Sequence, residues 1–210
     1  MRLYHSAMSI SLSCRLALVA AEADHEIVPL NTMAGESAQQ PFLSINPLGQ
    51  VPVLECGRMT LTQAMAILHF IADRTGKGWS YASDVDRAKA LSIMALAASE
   101  IQGSWTMNNR PQRFVDAEAC RPGIVAHALA RLEKAYNEVE RQLGALPQDR
   151  ELGILDYYVG VFALWKAMVP AAGGFAQTPC LDVVKDRVIS MPRLKNVIDE
   201  DIATHMSRVN

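Results

Sequence analysis

The chain changes character once, and that change limits its possible folds more than any single residue does. Up to Gly76 short strand signals alternate with helical ones; beyond it no strand pattern recurs. Residues Met1–Ser6 predict a strand, and Ser11–Ala23 places Leu12, Leu16, Val19, Ala20 and Ala23 on one helical face. His25–Leu30 predicts a second strand, and Gly35–Ser44 a weak helix or irregular connection. Val51–Cys56 and Arg58–Leu61 read as strands meeting in a tight turn at Gly57. A helix follows at once, with Thr62 as N-cap, Ala64, Ile67, Leu68 and Ile71 as its apolar face, and Gly76 at its end. The order βαβ, then ββα, predicts a small α/β sheet with helices packed on it.

Lys77–Asp84, with Gly78, Ser80 and Ser83, predicts a linker. The rest reads as helical: one long helix over Asp84–Asn109, then Gly123–Leu143, Gly153–Met168, Leu181–Ile189 and Arg193–Thr204. In the second of these Leu129, Leu132, Tyr136, Val139 and Leu143 keep to one stripe. Pro147, Pro170, Pro179 and Pro192 punctuate the segments. The expected organisation is an α/β domain over 1–76, a linker over 77–84 and an all-helical domain over 85–210. Half of the 210 residues are hydrophobic, enough to fill such cores.

Charge and cysteine usage narrow the function. Twenty basic residues face 22 acidic ones with no basic block, which argues against a nucleic-acid binder. Cys14, Cys56, Cys120 and Cys180 are far apart and form no metal-ligand spacing, so no metal is expected and a reducing cytoplasm fits. Arg15 interrupts the apolar run Ala7–Ala23, which argues against a signal peptide. Asp156, Lys166 and Pro170 interrupt the run Ile154–Ala172, which predicts a buried helix rather than a membrane span.

Pro52 stands where a strand is starting, although proline cannot donate to a strand ladder. Its neighbourhood, "NPLGQVPVL" at Asn46–Leu54, closely resembles the N-P-x-G-x-V-P-x-L signature of the cytosolic glutathione transferases. "LTQAMAILHFIADR" at Leu61–Arg74 and "GILDYYVGVFALW" at Gly153–Trp165 resemble two further segments of that family, in the same order. The resemblance implies a thioredoxin-like βαβ-ββα domain followed by an all-α domain, a homodimer, and glutathione as co-substrate. It also implies a cis bond before Pro52, so that Val51 offers its backbone to the cysteinyl unit of glutathione in the manner of an added strand. Gln50, Val51 and Pro52 would form that edge, and Gln63 and Ala64, at the start of the next helix, would receive the γ-glutamyl carboxylate. Family members carry Glu-Ser where this chain has Gln63-Ala64. The lost hydroxyl would weaken glutathione roughly tenfold, since a bond to a charged group is worth about 1.5–3 kcal/mol.

The chemistry requires the glutathione thiol to be held as thiolate, which a donating hydroxyl near a helix start can do. Ser6, Ser9, Ser11 and Ser13 lie between the first strand and first helix. Ser11 matches the S-x-x-C-R arrangement of serine-type members, with Ser9 the second candidate; Ser11 as a mere N-cap is the structural alternative. Tyr4, in the first strand, is a third candidate, although strand alternation favours core or edge packing for it. Against the bacterial beta class, Ile10 stands where those enzymes have a cysteine, and Gln102 and Gly103 where they have histidine and lysine. Ile10, Trp105 and Asn108 are expected to line the electrophile pocket, although a tryptophan on an apolar face is more often core. Asp156 is expected to be structural, one half of a capping box whose Ser or Thr is replaced by Gly153. The expected activity is conjugation of glutathione to small hydrophobic electrophiles. The alternatives are a non-catalytic binding protein of the same fold and a glutathione-dependent isomerase or dehalogenase.

Overall fold

Strand β1 (Arg2–His5) is followed by helix α1 (Ser11–Ala20), strand β2 (Glu26–Pro29), a short helix α2 (Phe42–Ile45), strands β3 (Val53–Cys56) and β4 (Met59–Thr62), and helix α3 (Ala64–Thr75). The computed structural model describes residues 1–79, 81, 83–147, 149–168 and 177–209. Ser80 of the expected linker and Pro170 lie outside the described residues. The strands form one sheet in the order β2-β1-β3-β4, with β1 parallel to β2 and the other pairs antiparallel.

Local chemistry explains where these elements depart from the sequence reading. The strand expected from Val51 begins at Val53, because Pro52 has no N–H to give the ladder. Thr62 pairs with Val53 inside β4, so Gln63 rather than Thr62 takes the N-cap position of α3. Helix α1 stops at Ala20, not Ala23: Glu22 adopts φ 55°, and the N–H groups of Glu22 and Ala23 turn back to the carbonyls of Val19 and Leu18. That is the Schellman stop, here built without a glycine.

Helices α4 (Asp84–Leu96), α5 (Gly103–Asn109), α6 (Arg121–Gly144), α7 (Ile154–Ala167), α8 (Pro179–Ser190) and α9 (Pro192–Val209) complete the described chain. The single helix expected over Asp84–Asn109 is three segments, since Ala97–Gln102 winds as a π-helix between α4 and α5. No described helix is long and apolar enough to cross a membrane.

The molecule divides into two compact units. One comprises Met1–Ser80, Glu151–Val161 and Lys185–Asn210; the other comprises Tyr81–Arg150 and Phe162–Val184. In the first, α1 packs against α3 and α9, burying Leu12, Leu16, Ile67, Leu68, Leu194 and Ile198 almost completely. In the second, the Trp105 indole N–H donates to the Tyr136 hydroxyl at 2.9 Å, which donates to the Phe162 carbonyl at 2.9 Å. Glu140 there accepts the N–H groups of Cys180 and Leu181 at 2.7 and 3.0 Å, capping α8 with a carboxylate.

Gly153 shows why the expected capping box is incomplete. A Cβ at this position would stand 2.5 Å from the Gly78 carbonyl oxygen, so no serine or threonine fits. The Gly78 carbonyl instead accepts the Ile154 N–H at 3.2 Å, while Asp156 accepts the Gly153 N–H at 2.9 Å. A backbone oxygen from the linker region thus satisfies the first N–H of α7, a different donor from the one a capping-box hydroxyl would meet.

Candidate active site

Strand register gathers one set of candidate residues at a single end of the sheet. Tyr4 faces Val53 and Val53 faces Thr62, so the loop after β1, the start of β3 and the start of α3 lie side by side. The Val51–Pro52 peptide is cis. Val51 is half-buried and Gln50 exposed, and among the described residues the Val51 backbone N–H and C=O have no partner. Asn46 and Gly49 hold the preceding turn: Asn46 Nδ2 donates to the Gln50 carbonyl at 2.7 Å, and Gly49, at φ 62°, approaches Ser37 too closely for any Cβ.

Gln63 is exposed and sits at φ 70°, a conformation that side chains other than glycine rarely adopt. No side chain caps α3, whose first N–H groups point out of the helix end. Ala64 is buried at 6% exposure. The start of α3 can therefore offer backbone donors and the Gln63 amide to an anion, with no hydroxyl from Gln63 or Ala64.

The serines of the first loop separate by burial. Ser11 is fully buried and is the first residue of α1, with Ile10 rather than Ser11 in the N-cap position. Ser11 Oγ accepts the Ser6 N–H at 3.1 Å and lies 2.8 Å from His5 Nδ1. Ser9 is half-buried, and its Oγ lies 2.6 Å from Ser11 Oγ and accepts the Ser11 N–H at 3.2 Å. Of the two serines Ser9 reaches the surface, and Ser11 stands behind it. Cys14 is no alternative nucleophile: complete burial pushes its thiol up to about 12. Tyr4 packs on Phe42 with ring centroids 5.5 Å apart and donates to Glu55 at 3.1 Å, as a core residue does.

Sequence reasoning missed His5 and Asp201. His5, at the end of β1, is 4% exposed, and its Nε2 donates to Asp201 Oδ1 at 3.0 Å. Asp201 also accepts the Met8 N–H at 2.9 Å and the Arg15 guanidinium at 2.7 Å, and Arg15 pairs in addition with Glu200. Burial would push the Asp201 carboxyl up, but the hydrogen bonds from His5 and the Met8 N–H and the charge of Arg15 outweigh it and hold the group below its ordinary value. A signal was present: Asp201 continues the buried stripe of Leu194, Val197 and Ile198 on α9, where an acid needs a partner. His5 and Asp201 also line a cleft of about 280 Å³ together with Arg15, Pro29, Thr204 and Arg208.

The expected electrophile residues fare differently. Trp105 is 3% exposed, bonded to Tyr136 and set edge-on to Trp165 at 6.4 Å, so it belongs to the core of its unit rather than to a pocket wall. Ile10, in the N-cap position of α1 in the other unit, is 4% exposed. Asn108 is half-buried and donates to Asn109 at 2.8 Å. Among the described residues no group of three His, Cys, Asp or Glu side chains could hold a metal.

Comparison with known proteins bears on the fold. Residues 1–73 match the family model "Glutathione S-transferase, N-terminal domain". A solved glutathione transferase homologue from Sulfitobacter, with bound glutathione, superposes with a TM-score of 0.83 at 21% identity, covering 95% of this chain and 97% of that one. The chain has the glutathione transferase fold. Its N-terminal part is thioredoxin-like and carries all four strands, and beyond α3 the regular elements of the described residues are helical. Among curated proteins, a glutathione S-transferase from Hyoscyamus muticus is 40% identical over 73 residues, 34% of each chain. Rat maleylacetoacetate isomerase is 36% identical over 67 residues, 31% of each chain. The matched segment spans about a third of the length of these relatives. The family-model match, residues 1–73, spans the whole sheet and most of α3.

Proposed function

We propose that the chain is a glutathione transferase that presents the glutathione thiolate to small hydrophobic electrophiles. The observation that carries this reading is the unpartnered backbone of Val51 beside Pro52, at the same sheet end as Ser9 and the uncapped start of α3. Val51 would take the cysteinyl backbone, and the start of α3 with Gln63 and Ala64 would take the γ-glutamyl carboxylate, with Gln50 at the rim. Ser9 is preferred to Ser11 at the sulfur because Ser11 is wholly enclosed. A homodimer in the cytoplasm belongs to the same reading. Asn108 is retained as a candidate in the helical unit, and the electrophile is otherwise defined only as a small apolar molecule.

The likeness to maleylacetoacetate isomerase favours a second reading, in which the same glutathione site serves an isomerisation. Glutathione titration by calorimetry, followed by assays with an aryl halide and with a cis-configured dicarboxylic acid, tests both. Saturable binding that survives Ser9→Ala, with conjugation reduced at least tenfold, is the expected result. Binding without turnover of either class would leave a binding protein, and no binding at millimolar glutathione would overturn the proposal.

A further inference from the structure

A thiol held at Ser9 must lose its proton, and the buried side chains behind Ser9 form an unbroken path for it. Ser9 Oγ lies 2.6 Å from Ser11 Oγ, Ser11 Oγ 2.8 Å from His5 Nδ1, and His5 Nε2 3.0 Å from Asp201 Oδ1. Counting donors assigns the hydrogens along this path. The Asp201 carboxylate already takes the Met8 N–H and the Arg15 guanidinium, so it acts as acceptor and His5 Nε2 carries a hydrogen. In the neutral imidazole Nδ1 is then an acceptor, and the Ser11 hydroxyl donates into it. Ser11 Oγ in turn accepts the Ser6 N–H and the Ser9 hydroxyl. Ser9 Oγ takes the Ser11 N–H on its inner side, leaving one lone pair for a group arriving from outside.

In that arrangement Ser9 can accept a thiol proton but has no hydrogen left to donate to a thiolate. We propose that Ser9, Ser11 and His5 form a proton relay in which the glutathione thiol proton is exchanged through both hydroxyls to His5 Nδ1, with Asp201 holding the resulting imidazolium. The inference rests on the reading that Ser9 meets the sulfur. The thiol S–H bond breaks and its proton joins Ser9 Oγ; the Ser9 proton passes to Ser11 Oγ, and the Ser11 proton to His5 Nδ1. Each hydroxyl gains one proton and loses one, so only the sulfur and the imidazole change charge. The hydroxyl chain has then reversed, and Ser9 donates to the thiolate. Among the described residues the charged groups around His5 are Asp201 from α9, Arg15 from α1 with its partner Glu200 through Asp201, and Arg208 from α9, which lines the same cleft. Ser11, His5 and Asp201 act through Ser9 and are positioning and relay residues.

A merely structural cluster would leave the thiol proton to the solvent, and this difference can be measured. Glutathione binding to the full chain near neutral pH is followed by calorimetry in buffers of different ionisation enthalpy, which counts protons released. Thiolate absorbance in the ultraviolet counts sulfurs ionised, and S-methylglutathione is the reference lacking the thiol. The relay predicts thiolate formation with far fewer than one proton released per thiolate in the wild type, rising to about one in Ser11→Ala. Equal release and thiolate in the wild type would overturn the relay while leaving glutathione binding intact, as would a Ser11→Ala variant with unchanged release. Binding without any thiolate would also overturn it. Absence of binding would overturn the relay together with the transferase reading. The wild-type measurement decides the matter even if Ser11→Ala does not fold.

Discussion

Asp201 is 1% exposed, carries a charge, and accepts hydrogen bonds from three directions, one of them from the Arg15 cation. Removing one member of such a buried cluster leaves the others without their counter-charge, at a cost of about 3–5 kcal/mol. Asp201→Asn should therefore lower stability in urea by several kcal/mol near neutral pH. The sign of the pH effect follows from the depressed carboxyl. A group held below its unfolded value stabilises fully above that value, about 3.9 for aspartate, and loses its contribution as pH falls through the folded value. The gap between wild type and Asp201→Asn should thus narrow below about pH 4; a gap independent of pH would contradict the ionised cluster. At this scale the sequence was legible where chemistry is local. Val51 and Pro52 stand in a contiguous signature, and the turn, the proline and the unpartnered backbone all follow from neighbouring residues. Ser9 and Ser11 were not separable in the same way, since their burial is decided by what packs over the loop. His5 and Asp201, 196 positions apart, meet only through the fold.

Among elements, the start of α7 and the end of α1 show opposite uses of glycine. Glu22 occupies a helix stop where glycine is usual, while Gly153 stands where a serine or threonine cap is usual. Only the second is enforced by space, because the Gly78 carbonyl occupies the position that a Cβ would take. Gly153→Ser, which would complete the capping box on paper, should destabilise the protein by about 1–3 kcal/mol or more through displaced backbone. Thermal unfolding of the variant checks this, and an increase in midpoint would show that the linker can yield. The main helices were readable from periodicity, as α6 illustrates: Leu132, Tyr136, Val139 and Leu143 of its expected stripe are buried, while Leu129, near its start, is 38% exposed. The π-helical turn at Ala97–Gln102 was not, since its residues keep a helical pattern and only the extra residue per turn differs. Trp105 had an ambiguous place for the same reason: an apolar residue on a helix face does not announce whether a core or a ligand covers it.

For the whole molecule, the unit that carries the sheet is assembled from three stretches of chain, and α9 is one of them. Leu194, Val197 and Ile198 bury their side chains there, each worth about 1.5–3 kcal/mol, against a typical total stability of about 5–15 kcal/mol. A chain truncated after Met191 should therefore lose its cooperative unfolding transition, even though residues 1–73, which match the N-terminal family model, remain intact. Circular dichroism on denaturant titration checks this, and a retained sharp transition would show the sheet to be self-sufficient. Alkylation gives a companion readout. Cys14 should resist thiol reagents in the full chain and react on truncation, whereas exposed Cys120 reacts in both. The bond between His5 and Asp201 also has a meaning in time. At about 5–20 residues per second, a ribosome makes residue 201 roughly 10–40 s after residue 5. Throughout that interval the nascent chain carries its first-loop serines without the carboxylate that orients the histidine behind them, so their finished arrangement must await the late arrival of α9.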